Sequence, residues 1–253
     1  MTQKVIAVVN QKGGVGKTTS TINVAAQIAS GGKSVLLIDL DPQGNATSGL
    51  GFPKEQGNKT VYEFVCEQAP LDNIVQESNV ANLFVMPSNA NLAGAEIELV
   101  GRANREFALS QALRSAAYEY VFIDCPPSLG LLTINALTAA TLVLIPVQTE
   151  YYALEGLSQL LNTIQAVKQG TNPNLELLGI VLTMYDKRTS LSEQVRDEVK
   201  KYFGDRLFKT VIPRNIRLAE APSYGQTIFE HDRWSKGARA YKALAREIVD
   251  RTT

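Results

Sequence analysis

The sequence predicts an α/β fold: a doubly wound, mostly parallel sheet flanked by helices. Three observations carry this. Seven apolar runs have strand length, helical periods separate them, and a glycine-rich turn joins the first run to the first helical stretch. The runs are continuous and rich in Val, Ile and Leu, as expected of strands covered on both faces.

In chain order, residues 5–9 (VIAVV) form the first strand and 17–30 the first helix. The second strand is 34–39 (SVLLID). Residues 42–62, rich in glycine and proline, read as a mobile connection and not a domain boundary. The third strand is 83–87 (LFVMP), followed by a helix over 105–117. Residues 120–124 (YVFID) and 141–147 (TLVLIPV) are the fourth and fifth strands, and 154–169 is helical. The sixth strand, 177–184 (LLGIVLTM), precedes a helix over 190–203, where Leu191, Val195, Val199 and Tyr202 recur with charges between them. The seventh strand, 208–213 (FKTVIP), leaves a last helix over 236–250. No internal repeat, low-complexity tract or Pro/Ser-rich linker interrupts the pattern, so one domain over 1–253 is expected.

With 45% apolar and 20% charged residues, the composition is that of an ordinary globular chain. The longest strongly apolar stretch, 142–147, is too short to span a bilayer. The N-terminal MTQK runs straight into a strand, so no signal or transit peptide is expected. Cys66 and Cys125 do not make a disulfide framework and fit a reducing cytoplasm. Cys66 falls in an amphipathic helical stretch, YEFVCEQ. His231 is the only histidine, has no Cys or acidic companions at ligand spacing, and reads as a surface residue. Net charge is zero, but unevenly spread: residues 187–251 carry 15 Lys/Arg against 9 Asp/Glu, and the remainder 10 against 16. Taken alone, scatter over solvated helix faces explains that asymmetry.

The chemistry sits at QKGGVGKTTS, residues 11–20, between the first strand and the first helix. Gly13, Gly14 and Gly16 let the backbone curl so that successive N–H groups of the loop, Val15 included, face one anion, and the helix N-terminus adds its partial positive charge. Lys17 can reach β- and γ-phosphates, and the Thr18 hydroxyl can ligate Mg²⁺. A dinucleotide-binding glycine motif fails here, because Thr19 stands where its last glycine belongs and Lys17–Thr18 would be unexplained. The first glycine of the common phosphate loop is replaced by Gln11, and a second lysine, Lys12, follows it.

KGGVGKTT resembles the deviant Walker A motif of the ParA/MinD/nitrogenase-iron-protein superfamily of P-loop ATPases, which implies a P-loop NTPase fold with ATP and Mg²⁺ as cofactors. In that superfamily the early lysine, here Lys12, reaches across a homodimer interface to the phosphates bound by the other subunit. The physics suits that role: a loop already holding Lys17 has little room for a second lysine in cis. Two triphosphates at a desolvated seam gather charge that a lysine supplied in trans would neutralise. The resemblance makes Lys12, Lys17 and Asp41 catalytic, with Asp41 orienting the attacking water. It makes Asp39 a support of the site near Mg²⁺, and Asp124, closing the Walker B-like strand YVFID, the holder of a Mg²⁺-bound water. Asp41-Pro42-Gln43-Gly44 is also an ordinary turn sequence. Pro213 and Asn215 are implied near the adenine.

Further segments (DPQGNATSGLG, AGAEIELV, DCPPSLGLLTINAL, EYYALEGLSQL, VIPRNIRLAEAPSYG) resemble chromosomal ParA proteins of the Soj type, over nearly the whole chain. That resemblance implies ATP-dependent dimers that bind double-stranded DNA without sequence preference. Hydrolysis is stimulated by a ParB/Spo0J-type centromere-binding protein, and the location is cytoplasmic and nucleoid-associated. Longer plasmid members carry an N-terminal helix-turn-helix domain; the first strand starts too early here for one, and operator-specific repression is not expected. The implied DNA contacts are Arg188, Lys200, Lys201, Lys209, Arg214 and Arg217. Tyr202 and Phe203 beside them read as core or rim residues of their helix.

The alternative is a MinD-like, membrane-recruited positioning ATPase. Tyr241, Leu244 and Ile248 make a narrow apolar stripe on the last helix, enough to dock on the body but without the Phe/Leu/Trp-rich face of a membrane-surface helix. No membrane partner is expected. The iron–sulfur reductases of the superfamily hold a cluster with two cysteines per subunit; Cys66 and Cys125 lack the glycine-rich setting for that and read as buried, inert thiols.

Overall fold

Parallel strands cannot be joined by tight turns, so each return must cross a face of the sheet. The computed structural model, which describes residues 3–54, 59–150 and 155–253, is built this way. The elements are β1 (Lys4–Val8), α1 (Lys17–Ser30), β2 (Val35–Asp39), α2 (Asn45–Gly49), α3 (Val61–Cys66), β3 (Gln76–Glu77), β4 (Leu83–Met86), α4 (Leu92–Val100), α5 (Ala108–Ala112), β5 (Tyr120–Asp124), α6 (Leu131–Ala139), β6 (Leu142–Gln148), α7 (Glu155–Gly170), β7 (Glu176–Tyr185), α8 (Ser190–Phe203), β8 (Leu207–Pro213), α9 (Ile216–Glu220), α10 (Ile228–His231) and α11 (Lys236–Thr252). The strand order is β3-β4-β2-β5-β1-β6-β7-β8, with only the β3–β4 pair antiparallel. The mostly parallel, doubly wound sheet expected from the sequence is therefore present.

Alternate residues of each strand feed two cores. Ala7, Ile38, Ile123 and Ile145 pack against α3 to α8, while Ile6, Val8, Leu37, Phe122 and Leu144 pack against α1 and α11. Both strand faces are buried, which is why the strands read as continuous apolar runs.

The structure departs from the sequence reading in several places. The helix expected over 105–117 is broken into two single 3₁₀ turns around α5. The 42–62 stretch, read as a mobile connection, contains α2 with Ala46 and Thr47 buried; residues 55–58 within it lie outside the described residues. Residues 151–154, part of a motif that carried the resemblance, also lie outside them. The helices α4 and α6 were not anticipated. Six of the nine residues of α6 (LLTINALTA) are apolar and Thr133 and Asn135 are buried as well, so it has no polar face to reveal a helical period. In α8, Val195 and Val199 are buried, but the last turn brings Phe203 rather than Tyr202 onto the core, and Tyr202 is exposed. Cys66 and Cys125 are both buried, as expected.

The last helix is a structural member. Tyr241, Leu244 and Ile248 are fully buried, and the Tyr241 hydroxyl lies 3.1 Å from Ser20 Oγ of α1. Glu247 accepts the N–H groups of Lys209 (2.9 Å) and Thr210 (3.1 Å), closing part of the β8 edge, and Arg251 lies over the Phe208 ring at 3.9 Å. Among the described residues no helix is long and apolar enough to cross a membrane. Tyr241→Ala is expected to destabilise the chain by about 3–5 kcal/mol, and Tyr241→Phe by about 1 kcal/mol, in urea unfolding. A near-zero cost for the alanine variant would mean that α11 is not part of the core.

Candidate functional site

The loop between β1 and α1 takes its form from two glycines. Gly14 (φ +73°) and Gly16 (φ +86°) have left-handed backbones that a side chain would strain, although space for a Cβ exists at both. Gly16 begins α1 and no side chain caps the helix, which leaves its first N–H groups to an incoming anion. The loop is pinned on both sides. Asn10 accepts the Lys12 N–H at 2.9 Å and donates to Pro146 O at 2.7 Å, and Thr183 Oγ1 donates to Val15 O at 2.8 Å.

Lys17 is nearly buried, with its ammonium donating to the loop's own Lys12 carbonyl at 3.0 Å. Burial holds its pKa below the usual lysine value, opposed chiefly by Asp124. Thr18 Oγ1 donates to Asp124 Oδ2 at 2.7 Å, and Thr21 Oγ1 lies 3.0 Å from Asp124 Oδ1. Asp124 is fully buried at the end of β5, beside Asp39 at the end of β2, its register partner. Burial, and then the neighbouring Asp39, push the Asp124 carboxyl up to about 7. Burial pushes Asp39 up to about 6, against the pull of its donors Thr47 and the Asp41 N–H. Burial also drives the Cys125 thiol well above its usual range, an inert setting.

A cavity of about 400 Å³ gathers Gly13, Gly14, Gly16, Lys17, Thr18, Thr19 and Asp41. Pro127, Met184, Pro222 and Gln226 help to enclose it. Val15 is buried beneath the loop and does not line it. Asp41 has both of its readings at once: its Oδ1 accepts the Gln43 N–H at 2.9 Å, as in a turn, while the residue lines the cavity. Asp39 does not line it. Its oxygens accept Thr47 N–H and Oγ1–H, both at 2.7 Å, and Asp41 N–H at 3.2 Å, so it fastens the Asp41 loop. The Thr18 hydroxyl and the Asp124 carboxylate are the oxygen donors that fit a hard cation such as Mg²⁺. Among the described residues no group of three or more His, Cys, Asp or Glu is gathered to hold a metal, so water would complete the shell.

Lys12 points elsewhere. Its half-exposed ammonium forms an ion pair with Glu150 of the same chain, just beyond β6. Pro213 and Asn215, expected near a base, do not line the cavity. Pro213 lines a separate cleft, and Asn215 caps α9 by accepting the Arg217 N–H at 2.9 Å. Ala221, Pro222 and Gln226, after α9, line the cavity instead.

The expected basic residues divide into groups. Arg188 and Arg214 share one cleft with Lys187 and Lys236, against Asp186 alone. Asp186 takes both Arg188 Nε (3.0 Å) and Nη2 (2.7 Å), which holds its carboxyl at about 2. Lys200 and Lys209 line a neighbouring cleft of mixed charge that includes Glu176, Asp205, Glu247 and Asp250. Lys201 is exposed on α8 and lines neither. Arg217 is tied to Glu220 (2.9 Å) and Asp232 (3.7 Å). His231 is not a surface residue: its side chain is only 14% exposed, stacked on Tyr224 at 5.1 Å and 3.4 Å from Glu220. Sequence reasoning missed Thr21, Thr47, Glu150, Lys187, Lys236 and Gln226. Thr21 alone had a local signal, three residues beyond Thr18 on the same helix face.

Comparison with known proteins bears on this geometry. A family model described as an AAA domain matches residues 3–177. The sporulation initiation inhibitor protein Soj of Bacillus subtilis is 56% identical, over 97% of this chain and 98% of its own. The chromosome-partitioning ATPase Soj of Thermus thermophilus is 53% identical, over 97% of this chain and 95% of its own. A solved structure of cobyrinic acid a,c-diamide synthase from Mycobacterium smegmatis, with bound ATP analogue and magnesium, is 39% identical with a TM-score of 0.85. It covers 97% of this chain and 93% of that one.

The paired carboxylates give a pH signature. Asp39 and Asp124 bind protons more tightly in the folded chain than in the unfolded one, where a carboxylate titrates near about 4. Their contribution to stability is fully present below that value and is lost as pH rises through about 6 and about 7. Without divalent cations, the urea midpoint is expected to fall over this window, and Asp124→Asn to flatten the fall. A wild-type midpoint that rises there would contradict the raised values.

Proposed function

Because the chain belongs to the Soj/ParA family of chromosome-partitioning ATPases, we propose that it couples ATP hydrolysis to the partitioning of DNA. The observation that carries the reading is the cavity that puts the glycine loop, Lys17, Thr18 and Asp41 around one space with Asp124 behind it. In this reading Gly13 to Thr19 hold the phosphates of ATP. Lys17 leaves the Lys12 carbonyl for the β- and γ-phosphates, and Asp41 orients the water whose oxygen attacks the γ-phosphorus as the bond to ADP breaks. Thr18 and, through water, Asp124 would hold Mg²⁺, which would supply charge neutralisation along the triphosphate. Asp39 serves the metal site indirectly, by fixing the Asp41 loop.

Two subunits close over their nucleotides, and each lends Lys12 to the other's phosphates. For that, Lys12 must exchange Glu150 for a triphosphate. The closed dimer holds double-stranded DNA without sequence preference through the cleft of Lys187, Arg188, Arg214 and Lys236, with Lys200, Lys201, Lys209 and Arg217 flanking it. Pairing two such clefts raises the effective affinity without altering either one. A ParB-type protein stimulates hydrolysis, which opens the dimer and releases the DNA. The place of action is the cytoplasm, on the nucleoid. The apolar face of α11 is spent in the core, so this helix does not offer that face to a membrane.

Size-exclusion chromatography with and without ATP and short duplex DNA tests the cycle: the dimer and its DNA complex are expected only with ATP. Lys12→Ala should keep nucleotide binding and lose partner-stimulated hydrolysis; normal stimulated turnover would remove Lys12 from the reaction. Arg214→Glu should weaken DNA retention and reduce the slope of log affinity against log salt by about 1 or more, with ATP binding intact. An unchanged salt slope would take the cleft out of the interface.

A further inference from the structure

A second cavity, of about 300 Å³, opens between the C-terminal ends of α3 and α4 and the α5 segment, and it shares no lining residue with the cavity beside the glycine loop. We propose that it binds a small organic anion with an apolar body, of the short-chain or aromatic carboxylate class, held by Arg102 and Arg105.

The floor of this cavity is core. Phe64, Val65 and Leu99 line it and are buried members of the core on that face of the sheet, and Leu71 packs partly buried against the same cluster. The polar part of the lining is positive. Residues 60–118 carry seven Asp/Glu and three arginines, yet two of those arginines line the cavity and no acid does. Each guanidinium is anchored on a main-chain carbonyl: Arg102 Nη1 donates to Cys66 O at 2.6 Å, and Arg105 Nη1 to Val100 O at 2.9 Å. An anchored fork loses little freedom when it takes a ligand. Arg102 Nε and Arg105 Nη2 make no hydrogen bond among the described residues. Glu98 lies 3.8 Å from Arg102 and Glu106 3.1 Å from Arg105, but both acids stand outside the lining in half-exposed pairs that water screens.

Two turns in the lining add a sign of construction. Gln68 (φ +56°) and Asn104 (φ +57°) are two of the four described non-glycine residues with a left-handed backbone. Glycine would take either turn without strain, yet the chain keeps an amide at each. Such strain gathers at ligand sites, and Gln68 is the costlier of the two, because asparagine tolerates this region better.

The combination selects the ligand. An apolar floor alone would accept any short hydrocarbon. Two guanidinium groups at its edge favour a carboxylate, which accepts charge-assisted hydrogen bonds from both, and disfavour a cation of the same shape. The volume is at the small end for ligand sites and suits one short chain or ring system.

Calorimetric titration of the full chain with octanoate, and with octylammonium as the same chain of opposite charge, tests the site. One octanoate is expected per chain, with octylammonium weaker by about tenfold or more. Arg105→Gln should weaken octanoate by about tenfold or more. Ala112→Trp, which fills the cavity and keeps both arginines, should also remove octanoate binding, with far-UV circular dichroism unchanged in both variants. If the tryptophan variant does not fold, Arg105→Gln alone decides. Octanoate that does not bind, that binds no better than octylammonium, or that binds the folded variants as tightly as wild type overturns the site.

Discussion

The site depends on burying charge at the carboxyl edge of the sheet. Asp39 and Asp124 stand side by side on β2 and β5, both without solvent contact, and the ammonium of Lys17 is the cation that acts on Asp124. Removing each carboxylate from water costs on the order of several kcal/mol. Part is offset by five donors from the chain itself: the hydroxyls of Thr18, Thr21 and Thr47 and the N–H groups of Thr47 and Asp41. The remainder appears as the raised proton affinity of both acids. A divalent cation at Thr18 and Asp124 would relieve the same deficit, so the free site is under electrostatic pressure to take up positive charge.

The same bonds make the site rigid and link it to the rest of the chain. Thr18 and Thr21 fasten α1 to β5, while Thr47 fastens α2 to β2 through Asp39, so the loop carrying Asp41 cannot shift without disturbing a buried carboxylate. On its far side α1 touches the C-terminal segment twice, through Ser20 with Tyr241 and through Asn23 with Ile228. Residues 216–231 have the cavity at one point, through Pro222 and Gln226, and a charged surface at another, through Arg217.

Much of this was legible in the sequence where the signal is local. The glycine loop, Lys17 and Thr18 declare themselves by spacing, and Asp39 and Asp124 by closing apolar strands, with Asp41 two residues beyond the first. The seven parallel strands were readable because both faces are buried. Residues whose role depends on distant parts of the chain were not. Glu150 meets Lys12 across two strands, Thr47 meets Asp39 through a helix inside a stretch that reads as loop, and Gln226 reaches the cavity from the far end of the sequence. Pro213 and Asn215, whose position along the chain resembled a known pattern, do not line the cavity: Pro213 lines another cleft and Asn215 caps α9. The basic cluster was visible as a count, yet the count could not separate Arg188 and Arg214, which share a cleft, from Arg217, which is held by two acids.

Lys12 shows why a second lysine is compatible with this loop. A half-exposed ion pair such as Lys12–Glu150 is worth only about 0–1 kcal/mol, because water screens it and both side chains must be held still. A triphosphate sealed between two subunits carries more charge in a drier place, where each unit of opposite charge interacts more strongly. Exchange of Glu150 for phosphate would then be more favourable at the proposed closed seam than at an open surface. The lysine can rest harmlessly in the single subunit, and the strength of its attraction to nucleotide is set by how completely the partner excludes water. In the proposed dimer, closure and phosphate neutralisation become one event, which makes assembly conditional on the triphosphate and its loss the natural consequence of hydrolysis.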